Sequence, residues 1–169
     1  NAFKSNNFPF LARIGLGIHF HKEALWRPKA HRPLKVQTEM DRNVMFIHLF
    51  PGITEQTLQY LTNTPGIKGI VLKTYGAGNA LTDKWFVDLM RAAVKRGIVV
   101  VNVSQCVNGG VNSERYMTGN ALSAAGVISG YDMTSEAAIT KLMYLFGMGL
   151  SADEVKKYLH CSLCGEITI

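Results

Sequence analysis

Gly69-Ile70-Val71-Leu72-Lys73-Thr74-Tyr75-Gly76-Ala77-Gly78-Asn79, followed later by Arg96-Gly97-Ile98-Val99-Val100-Val101-Asn102-Val103-Ser104, decides the fold. Each stretch is an unbroken apolar run that ends in polar residues. Strands of a parallel sheet, buried on both faces, read this way, whereas half-exposed strands alternate. Between the two runs, Thr82 or Asp83 can cap a helix reaching Arg96-Gly97. In it Trp85, Leu89 and Ala92 share one face, and Phe86, Met90 and Ala93 another. Strand, helix, strand over this length is the signature of a parallel α/β layer.

Working outward, Val44 to Phe50 is another apolar run, stopped by Pro51-Gly52, and Thr54 can cap a helix from Glu55 to about Leu61. Gly126-Val127-Ile128 is a shorter fourth run. Helices are predicted from about Ser135 to Phe146 and from about Ala152 to Leu159; Ser151-x-x-Glu154 has capping-box spacing. The expected architecture is α/β: a three-layer sandwich around a small, mainly parallel sheet of about four strands, spanning 34–169. Residues 1–33 read as a linking arm. Ser5-Asn6-Asn7-Phe8-Pro9 is turn-rich, prolines interrupt at 28 and 33, and a short strand is expected near Gly17 to Phe20. The opening Asn1-Ala2-Phe3, without an initiating Met, predicts a piece of a longer protein.

The chain has 169 residues, 47% apolar and 18% charged, which suits one domain with a real core and excludes a disordered chain. Its longest apolar stretch, Gly97 to Val103, is far shorter than the roughly 20 residues of a bilayer span. Three cysteines, Cys106, Cys161 and Cys164, are an odd number, which favours a reducing, cytoplasmic setting over a disulfide framework. The net charge of +6 is concentrated early, in Lys22, Arg27, Lys29, Arg32 and Lys35 with His19, His21 and His31. Such a cluster is either an anionic-surface patch or a solvated arm. Phe20 and Trp26 interleave with it, but no RNA-binding signature follows. The expectation is neither a nucleic-acid nor a membrane partner.

In parallel α/β sheets, ligands bind beyond the carboxyl ends of the strands. Chemistry is therefore sought after Phe50, Lys73, Val103 and Ile128. The loop Lys73 to Leu81 contains Gly76-x-Gly78, which invites a dinucleotide reading. The third glycine position is Leu81, however, and the next strand ends in Asn102 rather than an acid for a ribose. A tight turn into a helix fits as well. The loop from Asn102 through Gly109-Gly110 to Asn120 is long and rich in amides and hydroxyls, suited to holding a polar zwitterion. Cys106 has no histidine between His48 and His160 to serve as its base, so a buried small hydrophobe is the simpler reading. His160-Cys161-Ser162-Leu163-Cys164 offers one Cys-x-x-Cys where a structural zinc site wants four ligands. It reads as a helix end, and no metal or cofactor is expected.

Taken together, these loops resemble the C-terminal domain of bacterial L-asparaginases of the cytoplasmic type. The residues that carry the likeness are Gly69 to Asn79, Arg96 to Asn102, Ser104-Gln105-Cys106, Tyr116 to Leu122, Ala125 to Ile128 and Asp132-Met133-Thr134, with Asn1 to Pro9 similar to the segment after the family's N-terminal domain. The resemblance implies a two-domain amidohydrolase whose nucleophilic threonines lie upstream. One sits in a Thr-Gly-Gly-Thr context absent here; the other lies beside an Asp, a pairing that Thr82-Asp83 only imitates. It implies that this chain supplies no catalytic residue and is inactive alone, while Asn79 contacts substrate in a neighbouring subunit of a homodimer or tetramer. It further implies an asparagine effector site involving Lys73, Thr74, Ser104, Cys106 and Asn120, with Lys73 where relatives often carry Arg. Competing readings are a glutaminase or tRNA-amidotransferase relative, a free-standing small-ligand-binding module and a nucleic-acid-binding fragment.

Overall fold

The computed structural model describes residues 7–25, 27, 33–107, 109–111 and 117–168. Its elements run β1 (Ala12–Ile14), β2 (Ile18–Phe20), β3 (Val44–His48), α1 (Glu55–Thr62), β4 (Gly69–Thr74), α2 (Lys84–Lys95), β5 (Val99–Ser104), α3 (Met117–Ala124), β6 (Ile128–Ser129), α4 (Ser135–Gly147) and α5 (Ala152–Leu159), with a short 3-10 turn at Lys22–Ala24. β3, β4, β5 and β6 lie side by side in that order, all parallel. β1 and β2 form a separate antiparallel hairpin.

The unbroken apolar runs are explained by helices on both faces. Successive strand residues point to opposite sides. Ile70, Leu72 and Val100 pack with Leu58 of α1, Phe86, Met90 and Ala93 of α2, and Leu122 of α3. Val71, Val99, Val101 and Val103 pack with Leu142 and Leu145 of α4 and Val155 and Leu159 of α5. The result is the expected three-layer sandwich. Of the two faces predicted for α2, the Phe86-Met90-Ala93 face is fully buried; Trp85, Leu89 and Ala92 are half-buried.

Helix starts follow the capping logic. The Thr54 and Thr134 hydroxyls accept from Thr57 N and Ala137 N, and Ser151 with Glu154 forms a complete capping box. Asp83 occupies the cap position of α2 but makes no capping bond with its side chain. α3 is a correction: the sequence reads Met117 to Asn120 as loop, and the chain there is helical. β6 begins at Ile128, two residues later than the apolar run suggested. Before β3, the chain lies along α4: Asp41 N donates to Met143 O at 2.9 Å, and Lys68 pairs with Asp41 at 2.7 Å. Among the described residues no helix is long and apolar enough to cross a membrane.

Candidate functional site

The carboxyl ends of β3, β4 and β5 are stitched together by side chains from β5 and the residue just after it. Gln105 Nε2 has two protons and places them on Leu49 O at 2.6 Å and Lys73 O at 2.9 Å, the ends of β3 and β4. Its own backbone N–H donates to Thr74 O at 2.9 Å. One residue thus sets the crest on which the β4 loop stands.

That loop is a closed turn. Tyr75 N donates to Asn79 O at 2.7 Å and Asn79 N to Tyr75 O at 2.8 Å. Gly76 and Gly78 sit at φ of +48° and +103°, the left-handed region that favours glycine. At Gly78 space forbids a side chain as well, because a Cβ would lie 2.8 Å from Val111 Cγ1. The two glycines therefore shape the turn that presents Asn79. No phosphate cradle opens a helix here, since α2 starts only at Lys84.

Beneath the loop lies a buried polar network. Thr74 is fully buried and donates its hydroxyl proton to Asn102 Oδ1 at 2.6 Å. Asn102 Nδ2 reaches Gly78 O at 3.5 Å. Ser104 Oγ donates to Gly76 O at 2.5 Å and accepts from Cys106 N at 2.9 Å. Buried polar groups are tolerated when each has such a partner.

The sequence-predicted residues thus fall into two places. Lys73, Thr74, Asn79, Ser104 and Cys106 gather at the carboxyl ends of β4 and β5, with Thr74 directly opposite Ser104 in the ladder. Lys73 is half-buried, its ammonium 5.8 Å from the centre of the Phe46 ring, within cation–π range. Cys106 is exposed, not the buried hydrophobe expected, because β5 ends at Ser104 and leaves it two residues into the loop. Asn120 lies on α3 and lines an open hollow of about 870 Å³ beside β6, together with Ser123, Ser129, Tyr131, Asp132 and His160. Asn108 and Asn112 to Tyr116 lie outside the described residues, as do Trp26, Lys29, His31 and Arg32 of the basic arm.

Sequence reasoning passed over three participants. Asn102 reads in the sequence as a strand end opening an amide-rich loop, although an amide inside a strand otherwise of valines until Ser104 is itself the signal. Asn7 donates to Asp132 O at 2.7 Å and Gly109 O at 3.3 Å, tying the arm to the loops after β5 and β6. Tyr131 holds a φ of +50°, unusual for an aromatic, and its carbonyl accepts from Val111 N at 2.7 Å.

Elsewhere, Lys141 and Glu166 form a buried ion pair at 2.6 Å, and Lys141 also donates to Cys161 O at 2.6 Å. Burial pushes the Glu166 carboxyl up, but Lys141 and the amides of Cys164 and Leu163 outweigh it and lower it to about 2. Burial, followed by the Glu166 charge, pushes the Cys164 thiol up. Cys161 Sγ donates to Lys157 O at 3.5 Å, placing this segment at the end of α5 and its turn. Among the described residues no cluster of three or more His, Cys, Asp or Glu could hold a metal. A second hollow, about 630 Å³, takes none of its lining from the carboxyl-end loops.

A model described as the glutaminase/asparaginase C-terminal domain matches residues 43–159, from β3 through α5. The chain is 37% identical over 169 residues to the 60 kDa lysophospholipase of mouse, covering 99% of this chain and 30% of that one. It is 38% identical to L-asparaginase 1 of Escherichia coli K12, covering 99% of this chain and 49% of the relative. The crystal structure of L-asparaginase I from Vibrio cholerae O1 biovar eltor superposes with a TM-score of 0.88 at 37% identity, over all of this chain and 51% of that one. The chain therefore spans about half the length of the two asparaginases and less of the mouse protein.

Proposed function

Because this chain belongs to the glutaminase/asparaginase C-terminal domain family, we propose that it forms the C-terminal part of an amidohydrolase that converts L-asparagine and water to L-aspartate and ammonia. The observation that carries the reading is the unbroken family match from β3 through α5, across every strand of the sheet and the loops at its carboxyl end. The nucleophile belongs upstream, as a threonine hydroxyl that attacks the side-chain amide and gives an acyl-enzyme for water to open. This chain contributes no catalytic residue. Its part is Asn79, held out on the closed turn after β4, whose amide suits the α-amino and carboxylate groups of the substrate.

The same reading takes 34–169 as the domain and 1–33 as the arm that leads into it from the upstream part. It places the protein in the cytoplasm as a homodimer or tetramer, without a cofactor. It also keeps an asparagine effector site. Lys73 at the crest offers a point charge to a carboxylate, Cys106, which is exposed, and Ser104, which is buried, border it, Thr74 acts from below through Asn102, and Asn120 faces the hollow beside β6. The likeness to the mouse lysophospholipase supports a second reading, in which the same acyl-transfer chemistry cleaves a fatty-acyl ester.

The test is ammonia release from L-asparagine by this chain and by the gene product extended upstream, with fatty-acid release from a lysophospholipid measured in parallel. Activity on asparagine in the extended protein alone supports the first reading. Activity in this chain alone removes the upstream nucleophile. Fatty-acid release without ammonia moves the function to the second reading.

A further inference from the structure

We propose that Asn102 and Ser104 are positioning residues for the turn that carries Asn79, and that Ser104 ties that turn to the segment bearing Cys106. The inference rests on the Asn79 contact proposed above.

Asn102 is 3% exposed in a strand otherwise made of valines until Ser104. An amide there costs free energy unless both of its ends are partnered, so a valine would serve the sheet better. Both ends are partnered, and in a fixed sense. The Thr74 hydroxyl donates to Oδ1 at 2.6 Å, which leaves the NH2 end facing Gly78 O. Ser104 lies two residues on, on the same side of the strand. Its one proton goes to Gly76 O. The carbonyls of Gly76 and Gly78, three and one residues before Asn79, are therefore held from below by buried side chains. Substrate contacts lose their value when misplaced by as little as an ångström, so the anchors of this turn bear on binding.

Ser104 also works in the other direction. Its oxygen accepts from Cys106 N at 2.9 Å, and Gly109 closes over it so tightly that a Cβ there would lie 2.2 Å from Oγ. One hydroxyl is thus shared by the Gly76 carbonyl and the segment after β5. Any rearrangement at Gln105 or Cys106 that removes the Cys106 bond acts on the oxygen that holds the Asn79 turn.

The experiment uses the full-length gene product and two readouts. The first is steady-state hydrolysis of L-asparagine by Asn79→Ala, Asn102→Leu, Ser104→Ala and Ser104→Thr, with Asn102→Leu and Ser104→Ala repeated in the Asn79→Ala background. The second is amide exchange at Gly78 and Asn79, whose N–H groups donate to Tyr75 O at 3.0 and 2.8 Å. Asn102→Leu and Ser104→Ala are expected to raise KM about tenfold, the scale of one or two lost hydrogen bonds, with kcat within about twofold. Exchange at both amides rises by about the same factor. Ser104→Thr restores both, and neither loss adds to that of Asn79→Ala. Unchanged exchange overturns the proposal whatever the kinetics. So does a full additional rise in KM in the Asn79→Ala background, which places the effect elsewhere. If Asn79→Ala leaves KM unchanged while exchange still rises, the anchoring stands and the Asn79 contact falls.

Discussion

The crest of the parallel sheet and the hairpin of the arm are made from similar residues and end in opposite states. In the sheet, Ile70, Leu72 and Val100 are fully buried, and at its crest the buried Thr74 and Asn102 side chains are bonded to each other. In the hairpin, Ala12, Ile14, Ile18 and Phe20 share one face by register, with Arg13 and His19 on the other. Yet Ile14 is 83% exposed, and Ile18 and Phe20 are exposed beside it. A two-stranded hairpin is marginal by itself, and this one buries none of its large apolar side chains. The sheet with its helices thus carries its own core, whereas the hairpin leaves its apolar face exposed.

The comparison breaks most visibly on matched truncations. Leu142→Ala, on the fully buried face of α4, is expected to destabilise the chain by about 4 kcal/mol. Ile18→Ala in the same chain is expected to cost no more than about 0.5 kcal/mol, since the side chain is exposed. Urea melts of the two variants measure this directly. Equal losses would mean that the hairpin face is already packed, and the contrast between the regions would be void.

A second effect sharpens the sheet side. Glu166→Gln leaves the Lys141 ammonium buried without its counter-charge, which is expected to cost about 3 kcal/mol near neutrality. The sign follows from the lowered carboxyl. With a folded value of about 2, below its ordinary 4.5, Glu166 contributes stability that is complete above about pH 4.5 and fades as the pH falls toward 2. Melts from pH 7 to pH 2 should therefore show the wild type and Glu166→Gln converging in acid. A gap that stays constant would show that the pair is not what holds the last turn to α4.

How much of this was legible in the sequence follows the same division. Strands buried on both faces lose their alternation, so the runs of β4 and β5 announce the parallel sheet unaided, whereas the run of β3 lies at the sheet edge and leaves Phe46 exposed. α3 stayed hidden because Thr118, Gly119 and Asn120 are poor helix formers; burial of Leu122 and Ala125 decides there, and that is tertiary information. The Gly76 and Gly78 turn was readable as a turn, but its anchors were not. Ser104 and Gly76 are 28 residues apart, and nothing local pairs them. The hairpin is half legible: the short strand expected near Gly17 to Phe20 is β2, while its partner β1 is too short, at three residues, to show a period of its own.

The smallest effect joins the two regions. Asn7 bonds the arm to the crest through Asp132 O at 2.7 Å and Gly109 O at 3.3 Å. Asn7→Ala removes both bonds and is expected to cost about 1 kcal/mol, or roughly 3 °C in Tm for a chain of this size. Asn7→Asp should be worse than Ala at neutral pH, because it turns a carboxylate toward two carbonyl oxygens, and it should recover partly in acid as that carboxylate takes up a proton. The hairpin has its own ladder, with His21 N donating to Leu11 O at 2.9 Å, so its amides should exchange no faster in either variant. The Val111 amide, bonded to Tyr131 O between the two loops that Asn7 joins, should exchange faster. If the hairpin amides were released together with Val111, the arm would be folded by the crest, and the two regions would be one cooperative unit.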